Sequence, residues 1–153
     1  MQNQRRSVLK KMFAAAAGMT GISAVAKAAG ATLPAKTENG NVVYDQEVPL
    51  FSSFKVHGNT VYVAGIGAHF DGDIKAHTDH VLKEMEAQLK KAGSSMDKVL
   101  KVSVFLHDLS DYKAMNEVYR GRFGANPPVR TTVAVYGGVP GDSLVEMDCI
   151  ASL

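Results

Sequence analysis

The chain has 153 residues, of which 46% are hydrophobic and 21% are charged, a composition typical of one soluble domain. Its formal net charge of +2 is unevenly spread: the first 28 residues hold five of the 17 cations and none of the 15 acids, so the remainder carries −3. This balance argues against a nucleic-acid surface, which needs clustered excess cations. Cys149 is the only cysteine, which excludes an intrachain disulfide and a thiolate zinc site.

The first 28 residues have the layout of an export signal. A basic segment, QRRSVLKK, precedes a weakly apolar run at 12–25 that is too short and too rich in Gly and Ala to span a bilayer. Small residues at 24, 26 and 28 suit cleavage after Ala28, and the pair Arg5-Arg6 indicates the twin-arginine route. We therefore expect a periplasmic protein with no stable membrane insertion after cleavage. The alternative is a basic amphipathic helix that stays attached.

Residues 29–48 are predicted to be a linker that runs into an edge segment, and residues 49–153 the folded domain. The domain opens with a strand, a turn at Gly58-Asn59 and a returning strand. Apolar residues at helical spacing then predict a helix over about 74–92, ended by Gly93.

The second half of the domain is predicted to hold one more helix and three strands. VLKVSVFLHDL (99–109) is typical of a strand, and a helix capped by Ser110 or Asp111 follows to about Phe123. That helix is expected to turn these side chains inward: Tyr112, Met115, Val118 and Tyr119. Arg130–Tyr136 and Leu144–Ala151 are predicted to form a closing hairpin around GGVPGDS.

The order ββαβαββ predicts an α+β fold with one sheet and both helices packed on one face. Two helices leave the other face bare. Its apolar residues must then meet another copy of the chain, so we expect a closed homo-oligomer.

Charged residues near the C-terminus are the first candidates for a site. Strand alternation places Arg130 and Thr132 on one face of their strand, and Glu146 and Asp148 together on one face of the last strand. From spacing alone, these charges suit either a solvated edge or a site that grips an anion, and both readings stay open.

The last strands also carry a family resemblance. PPVRTTVAVYGGVPGDSLVEMDCIA, with HGNTVYVAG and KAGSSMDKVLKVSVFLHDLSDYKAMNEVY before it, is similar to the reactive intermediate deaminase (RidA/YjgF) family. The resemblance spans about Pro49 to Ala151 and agrees at many spaced positions. It implies a small trimeric protein with a chorismate-mutase-like fold and sites in clefts between subunits.

The resemblance assigns catalytic roles to two residues. Arg130 matches the arginine that binds the carboxylate of an imino acid, and a guanidinium suits that task because its planar fork pairs bidentately with a carboxylate. Glu146 matches the glutamate that holds the attacking water. The resemblance thus implies hydrolysis of 2-imino acids and their enamine tautomers to 2-keto acids and ammonia, with no metal or organic cofactor.

The resemblance implies substrate contacts for four further residues. The backbone of Gly65 matches a glycine that lines the pocket. Asn116 matches a helix asparagine common in the family, and its first duty is expected to be structural. Thr132 stands where many members have Cys or Ser. Phe51 stands where a tyrosine is frequent, and it supplies an aromatic wall without a hydroxyl. The rival hypothesis is an exported, non-catalytic oligomer that binds a small carboxylate ligand or a protein partner.

Three histidines invite a metal hypothesis. His77 and His80 lie three residues apart on the first helix, with His69 nearby. A solvated helix face explains this spacing better, because no further ligand stands beside them in the sequence. Cys149 lies on the apolar face of its strand and is expected in the core.

Overall fold

The computed structural model describes residues 39–42 and 48–153, so the signal prediction for residues 1–28 and most of the predicted linker lie outside the described residues. No helix of the described part is long and apolar enough to cross a bilayer. The elements in chain order are β1 Asn39–Val42, β2 Phe51–His57, β3 Thr60–Ile66, α1 Ile74–Lys91, β4 Val99–Leu106, α2 Tyr112–Tyr119, β5 Val129–Ala134 and β6 Val145–Ser152.

The strands form one mixed sheet in the order β1-β2-β3-β6-β4-β5. Helix α1 packs on β3 and β6 and also contacts α2, so both helices cover the same face. The predicted α+β fold with two helices on one face is therefore confirmed. The segment Asn39–Val42 adds an antiparallel edge strand to β2.

The predicted closing hairpin is wrong. Strand β5 pairs in parallel with β4, whereas β6 pairs antiparallel with both β3 and β4. Strand β4 thus lies between the two strands that the sequence suggested were partners. The ten residues 135–144, which connect β5 to β6, allow the chain to pass over β4. The segment that contains α2 connects β4 to β5 and provides the crossover that a parallel pair requires. Strand β5 also ends at Ala134, which leaves Tyr136 fully exposed.

The ends of α1 follow the expected chemistry. The Asp73 side chain accepts a 2.8 Å hydrogen bond from the backbone N–H of Ala76 and so caps the first turn. Gly93 adopts a φ of +84° just after the helix, where a Cβ would be strained. Helix α2 is shorter than predicted. It ends at Tyr119 because Arg120 is extended and Gly121 has a φ of +80°.

The core lies between the helices and the covered face of the sheet. Side chains of β6 alternate between buried and half-buried, and Cys149 is buried as expected. The opposite face exposes apolar side chains, with Val129 70%, Tyr62 48% and Val133 44% exposed. The expectation of an apolar, uncovered sheet face is met, and such a face suits contact with another copy of the chain.

His77 corrects the expectation of a solvated histidine face. Its side chain is only 2% exposed. The N–H of Leu144 donates to Nδ1 over 3.1 Å, so Nε2 carries the proton and donates to the carbonyl of Phe70 at 2.8 Å. The imidazole therefore fastens α1 to the loop before it and to the start of β6.

Candidate functional site

Arg130 projects toward α2 from the edge strand β5. It is paired with Val102 of β4, a buried core residue, so its side chain leaves the sheet on the covered face. Its guanidinium carbon lies 4.6 Å from the ring centre of Tyr119 and 5.7 Å from that of Tyr112. Nη2 donates a 3.2 Å hydrogen bond to the Tyr112 hydroxyl. Two aromatic rings thus hold the cation by cation–π attraction and fix its direction.

The guanidinium of Arg130 has no carboxylate within ion-pair distance in the described part of the chain. Its planar fork is therefore available for an external anion. Two hydroxyls near this strand also lack partners among the described residues: Tyr119 Oη and Thr132 Oγ1 are both buried without a hydrogen bond. Burial raises the pKa of Tyr119 to about 12, so its hydroxyl stays protonated. Unsatisfied buried hydroxyls cost free energy unless a ligand or a partner subunit satisfies them.

Tyr112 is a feature that the sequence reading missed. We expected its side chain to point inward, but it is 43% exposed and reaches Arg130 instead. Tyr119 is buried as expected. The two tyrosines stand seven residues apart, which is two helical turns, and that spacing is the signal that places them on one face of α2.

Asn116 lies between these tyrosines on α2 and is half-buried. It lines a groove of about 530 Å³ together with Tyr119, Phe123 and Pro127. The groove adjoins the aromatic ring that contacts Arg130. The structure thus brings Asn116, Thr132 and Arg130 to the same side of the sheet.

Gly65 and Glu146 form a second group of candidate residues. The pairing of β3 with β6 shifts between Val63 and Ile66, and this irregularity carries Gly65 next to Glu146. A Cβ on Gly65 would overlap the Glu146 carboxylate, with Cδ only 2.9 Å away. Glycine is therefore required at this position for the carboxylate to lie against the backbone.

Phe51 joins this second group through a cavity. Phe51 and Gly65 both line a cavity of about 390 Å³ at the end of β2 and β3. The ring of Phe51 is 43% exposed and offers an apolar wall. His80, Glu84 and Gln88 of α1 complete the cavity, and none of them was singled out as a cavity residue from the sequence.

The guanidinium of Arg130 and the carboxylate of Glu146 lie on opposite faces of the sheet. Arg130 pairs with Val102 of β4, whose side chain points to the covered face, and Glu146 pairs with Phe105 of the same strand. Side chains alternate between the faces along a strand, so Val102 and Phe105, three residues apart, point to opposite faces, and so do their partners. One protomer therefore presents the guanidinium on one side and the carboxylate on the other. A site that uses both groups needs two copies of the chain.

The described part of the chain offers no group of three His, Cys, Asp or Glu side chains that could hold a metal ion. His77 uses both ring nitrogens in internal hydrogen bonds, and the Nδ1 of His69 lies 3.1 Å from the carbonyl of Gly141. These imidazoles have structural partners in the fold.

The fold and the candidate residues together define an α+β subunit that presents an aromatic-bracketed arginine and a separate glycine–glutamate pair. Residues 46–153 match the family model described as Endoribonuclease L-PSP, and this is more than half of the chain. The chain belongs to this family.

Curated relatives support the same assignment. A RutC family protein of Pyrococcus abyssi is 42% identical over 110 residues, which is 67% of this chain and 85% of that protein. The RutC family protein UK114 of Drosophila melanogaster is 42% identical over 103 residues, 63% of this chain and 74% of that protein. Reactive Intermediate Deaminase A of the Arabidopsis thaliana chloroplast is 33% identical over 102 residues, 62% of this chain and 54% of that protein. The resemblance to the RidA/YjgF family is thereby confirmed.

Solved structures share the fold. The Rid family protein YyfA of Yersinia pestis superposes with a TM-score of 0.69 at 25% identity, covering 77% of this chain and all of that one. Yeast Mmf1 gives a TM-score of 0.66 at 27% identity, covering 78% of this chain and 96% of that one.

Proposed function

We propose that this protein hydrolyses 2-imino acids and their enamine tautomers, such as 2-aminoacrylate, 2-iminopropanoate and 2-iminobutanoate, to 2-keto acids and ammonia. Water adds to the imine carbon, and the carbon–nitrogen bond then breaks with release of ammonia. The relative named Reactive Intermediate Deaminase A supports this reaction class. No metal or organic cofactor takes part in the proposed reaction.

The observation that carries the proposal is the orientation of Arg130. Its guanidinium is bracketed by Tyr112 and Tyr119 and has no carboxylate partner in the described part of the chain. A fixed, unpaired fork of donors suits bidentate binding of a substrate carboxylate. The partnerless Thr132 Oγ1, on the same side of the strand, would accept or donate a further hydrogen bond to the substrate.

Glu146 would hold the attacking water and transfer its protons to the leaving nitrogen. Gly65 would let the substrate approach the backbone beside that carboxylate, and Phe51 would form an apolar wall. Because Arg130 and Glu146 leave opposite faces of the sheet, we propose that each site joins Arg130 of one protomer to Glu146 of another, in a homotrimer.

The charge of this chain does not favour the ribonuclease activity for which the family is named. Outside the first 28 residues the chain carries twelve cations against 15 acids. Binding to RNA would need the opposite excess. A non-catalytic trimer that binds a carboxylate ligand is the second candidate, and it is favoured by Phe51, whose ring has no hydroxyl to offer to substrate.

A coupled assay separates the two candidates. Imines generated by an amino-acid oxidase are incubated with the mature protein, and the imine that remains is trapped with semicarbazide. The proposal expects Arg130→Ala to abolish catalysed imine loss with an unchanged oligomer, and Lys113→Ala, an exposed cation next to Tyr112, to keep it. Wild-type protein that binds a keto acid but leaves imine decay at its spontaneous rate would favour the non-catalytic candidate.

We also propose export by the twin-arginine route, supported by Arg5-Arg6 and the small residues before Ala28. Fractionation of a Gram-negative host should place the mature protein in the periplasm, and Arg5→Lys with Arg6→Lys should retain the full-length chain in the cytosol. Periplasmic protein from the double variant would contradict this proposal.

A further inference from the structure

Two loops meet beside the buried imidazole of His77. One loop, residues 67–73, leads from β3 into α1, and the other, residues 135–144, leads from β5 into β6. The imidazole contacts both loops: Nε2 donates to the Phe70 carbonyl at 2.8 Å, and Nδ1 accepts from the Leu144 N–H at 3.1 Å. His77 therefore fastens the two loops to each other as well as to α1.

The hydrogen bonds of His77 require a neutral ring. Nδ1 faces the backbone N–H of Leu144, which can only donate, so this nitrogen must keep its lone pair. A second proton on the ring would set two donors against each other. The side chain is only 2% exposed, so a charged ring would also lose its hydration in this position. Protonation therefore requires Leu144 to separate from the ring.

Carboxylates on the two loops favour the charged ring once the loops separate. A cavity of about 290 Å³ lies between the loops, and His77 lines it together with Asp71 of the first loop and Asp142 of the second. Both carboxylates are exposed, and they would attract an imidazolium that turns into the cavity. His69 also lines this cavity, and its Nδ1 lies 3.1 Å from the carbonyl of Gly141.

Other titratable groups near the ring are committed elsewhere or carry no negative charge. The Asp73 carboxylate accepts a hydrogen bond within the first turn of α1 and caps the helix. The rings of His77 and His80 both pack edge-on against Phe70, with ring centres 4.8 and 5.3 Å away. Toward the sheet, His77 belongs to the buried stripe of α1, which is otherwise almost entirely apolar. The acids that can pair with a charged His77 are therefore those of the two loops.

We propose that His77 is a pH-sensitive switch, in which protonation of Nδ1 breaks the hydrogen bond with Leu144 and separates loop 135–144 from loop 67–73. The proton comes from water and stays on the imidazole, and no covalent bond of the chain changes. An imidazole freed from its partners takes up a proton below about pH 6.5. The loops should therefore be closed above that pH and open increasingly below it. This inference does not depend on the proposed function.

Hydrogen exchange of the Leu144 amide measures the opening directly, because this N–H is the donor to His77. His77→Gln keeps an acceptor oxygen and a donor nitrogen but does not titrate. The measured quantity is the exchange rate of wild type divided by that of His77→Gln at the same pH, which cancels the intrinsic effect of pH on exchange. This ratio should rise about tenfold from pH 7.5 to pH 5.5, because opening gains a factor of about ten for each pH unit below 6.5.

His80→Gln is the matched control, because it removes a half-buried imidazole from the same helix and the same Phe70 ring but leaves His77 in place. It should reproduce the wild-type exchange of Leu144 at both pH values. Asp142→Asn removes one loop carboxylate, and asparagine tolerates the φ of +59° at this position. It should reduce the acid-induced rise about twofold, the worth of one exposed charge pair.

Equal exchange of Leu144 in wild type and His77→Gln at both pH values overturns the inference. Where His77→Gln fails to fold, nitrogen NMR of the wild-type imidazole decides. An imidazolium at pH 5.5 that appears together with loss of Leu144 protection supports the switch. A ring that is still neutral at pH 5.5, or an imidazolium formed while the Leu144 amide stays protected, overturns it.

Discussion

Arg130 donates a 3.2 Å hydrogen bond through Nη2 to the hydroxyl of Tyr112. The same guanidinium lies over the Tyr119 ring, so its plane is set from two directions. Nη2 donates to the phenol of Tyr112, and the remaining N–H groups of the guanidinium stay available for a carboxylate. This relationship defines Tyr112 as a positioning residue in the proposed site.

Replacement of Tyr112 by leucine should weaken substrate binding. Tyr112→Leu removes both the hydrogen bond and the ring contact, which together contribute about 1 kcal/mol, so KM should rise about fivefold with little change in kcat. Tyr112→Phe keeps the ring and should recover part of the loss. Steady-state kinetics on one imine check this, and an unchanged KM in the leucine variant would show that Arg130 is oriented by other contacts.

Gly65→Ala should damage the chemical step without unfolding the protein. The added Cβ would displace the Glu146 carboxylate, which is the end of a flexible side chain and can move away. We expect kcat to fall about tenfold or more, as for loss of a general base, while thermal stability changes little. In the double variant Gly65→Ala, Glu146→Gln the two losses should not add. Full additivity would mean that the glycine acts independently of the carboxylate.

The buried imidazole of His77 should be a major contributor to stability. His77→Phe leaves the Phe70 carbonyl and the Leu144 N–H without partners, which should cost about 2–4 kcal/mol in the free energy of unfolding. His57→Phe is the control, because His57 is exposed at the end of β2 and should change stability by less than about 0.5 kcal/mol. Urea unfolding of both variants measures the difference. Equal stabilities would contradict the internal role of His77.

Cys149 should be chemically inert in the folded protein. Burial raises the pKa of its thiol to about 12, so the reactive thiolate is scarce at pH 8. Iodoacetamide should label it only after denaturation. The same shift lowers the stability of the fold as the pH rises from the ordinary range of a thiol towards 12, because only the unfolded chain releases the proton readily. Rapid labelling of native protein at pH 8 would contradict the burial.

Local sequence patterns were sufficient to predict the helices and strands, but not which strands pair with each other in the sheet. Period-2 and helical spacing predicted the strands and the core face of α1, and alternation correctly placed Cys149 inside. The hairpin prediction failed because two adjacent strands joined by a turn-rich loop look alike whether they pair directly or enclose a third strand. The β4–β5 pairing that decides this is set by the crossover through α2.

The candidate site was predicted only as a set of residues, and its division into two groups was not. Alternation along each strand could not show whether Arg130 and Glu146 share a face of the sheet. That relationship depends on how β5 and β6 each pair with β4, and the sequence did not reveal this pairing. His77 could have been recognised: it follows Ile74 by three residues and precedes Val81 by four, which places it on the buried stripe. The cavity at Glu84 depends on packing of α1 against the sheet and has no local signature.

The central claim is that each active site combines Arg130 of one protomer with Glu146 of another, and complementation between two inactive variants tests it most directly. Arg130→Ala and Glu146→Gln proteins are denatured together in equal amounts, refolded, and assayed for imine hydrolysis. A mixture of Arg130→Ala with the double variant Arg130→Ala, Glu146→Gln serves as the control and should stay inactive.

In a randomly mixed ring, about a quarter of the clefts receive an intact arginine from one variant and an intact glutamate from the other. We therefore predict recovery of about a quarter of the wild-type rate per site. Mixed oligomers as inactive as their two parents would contradict a site that is shared between protomers.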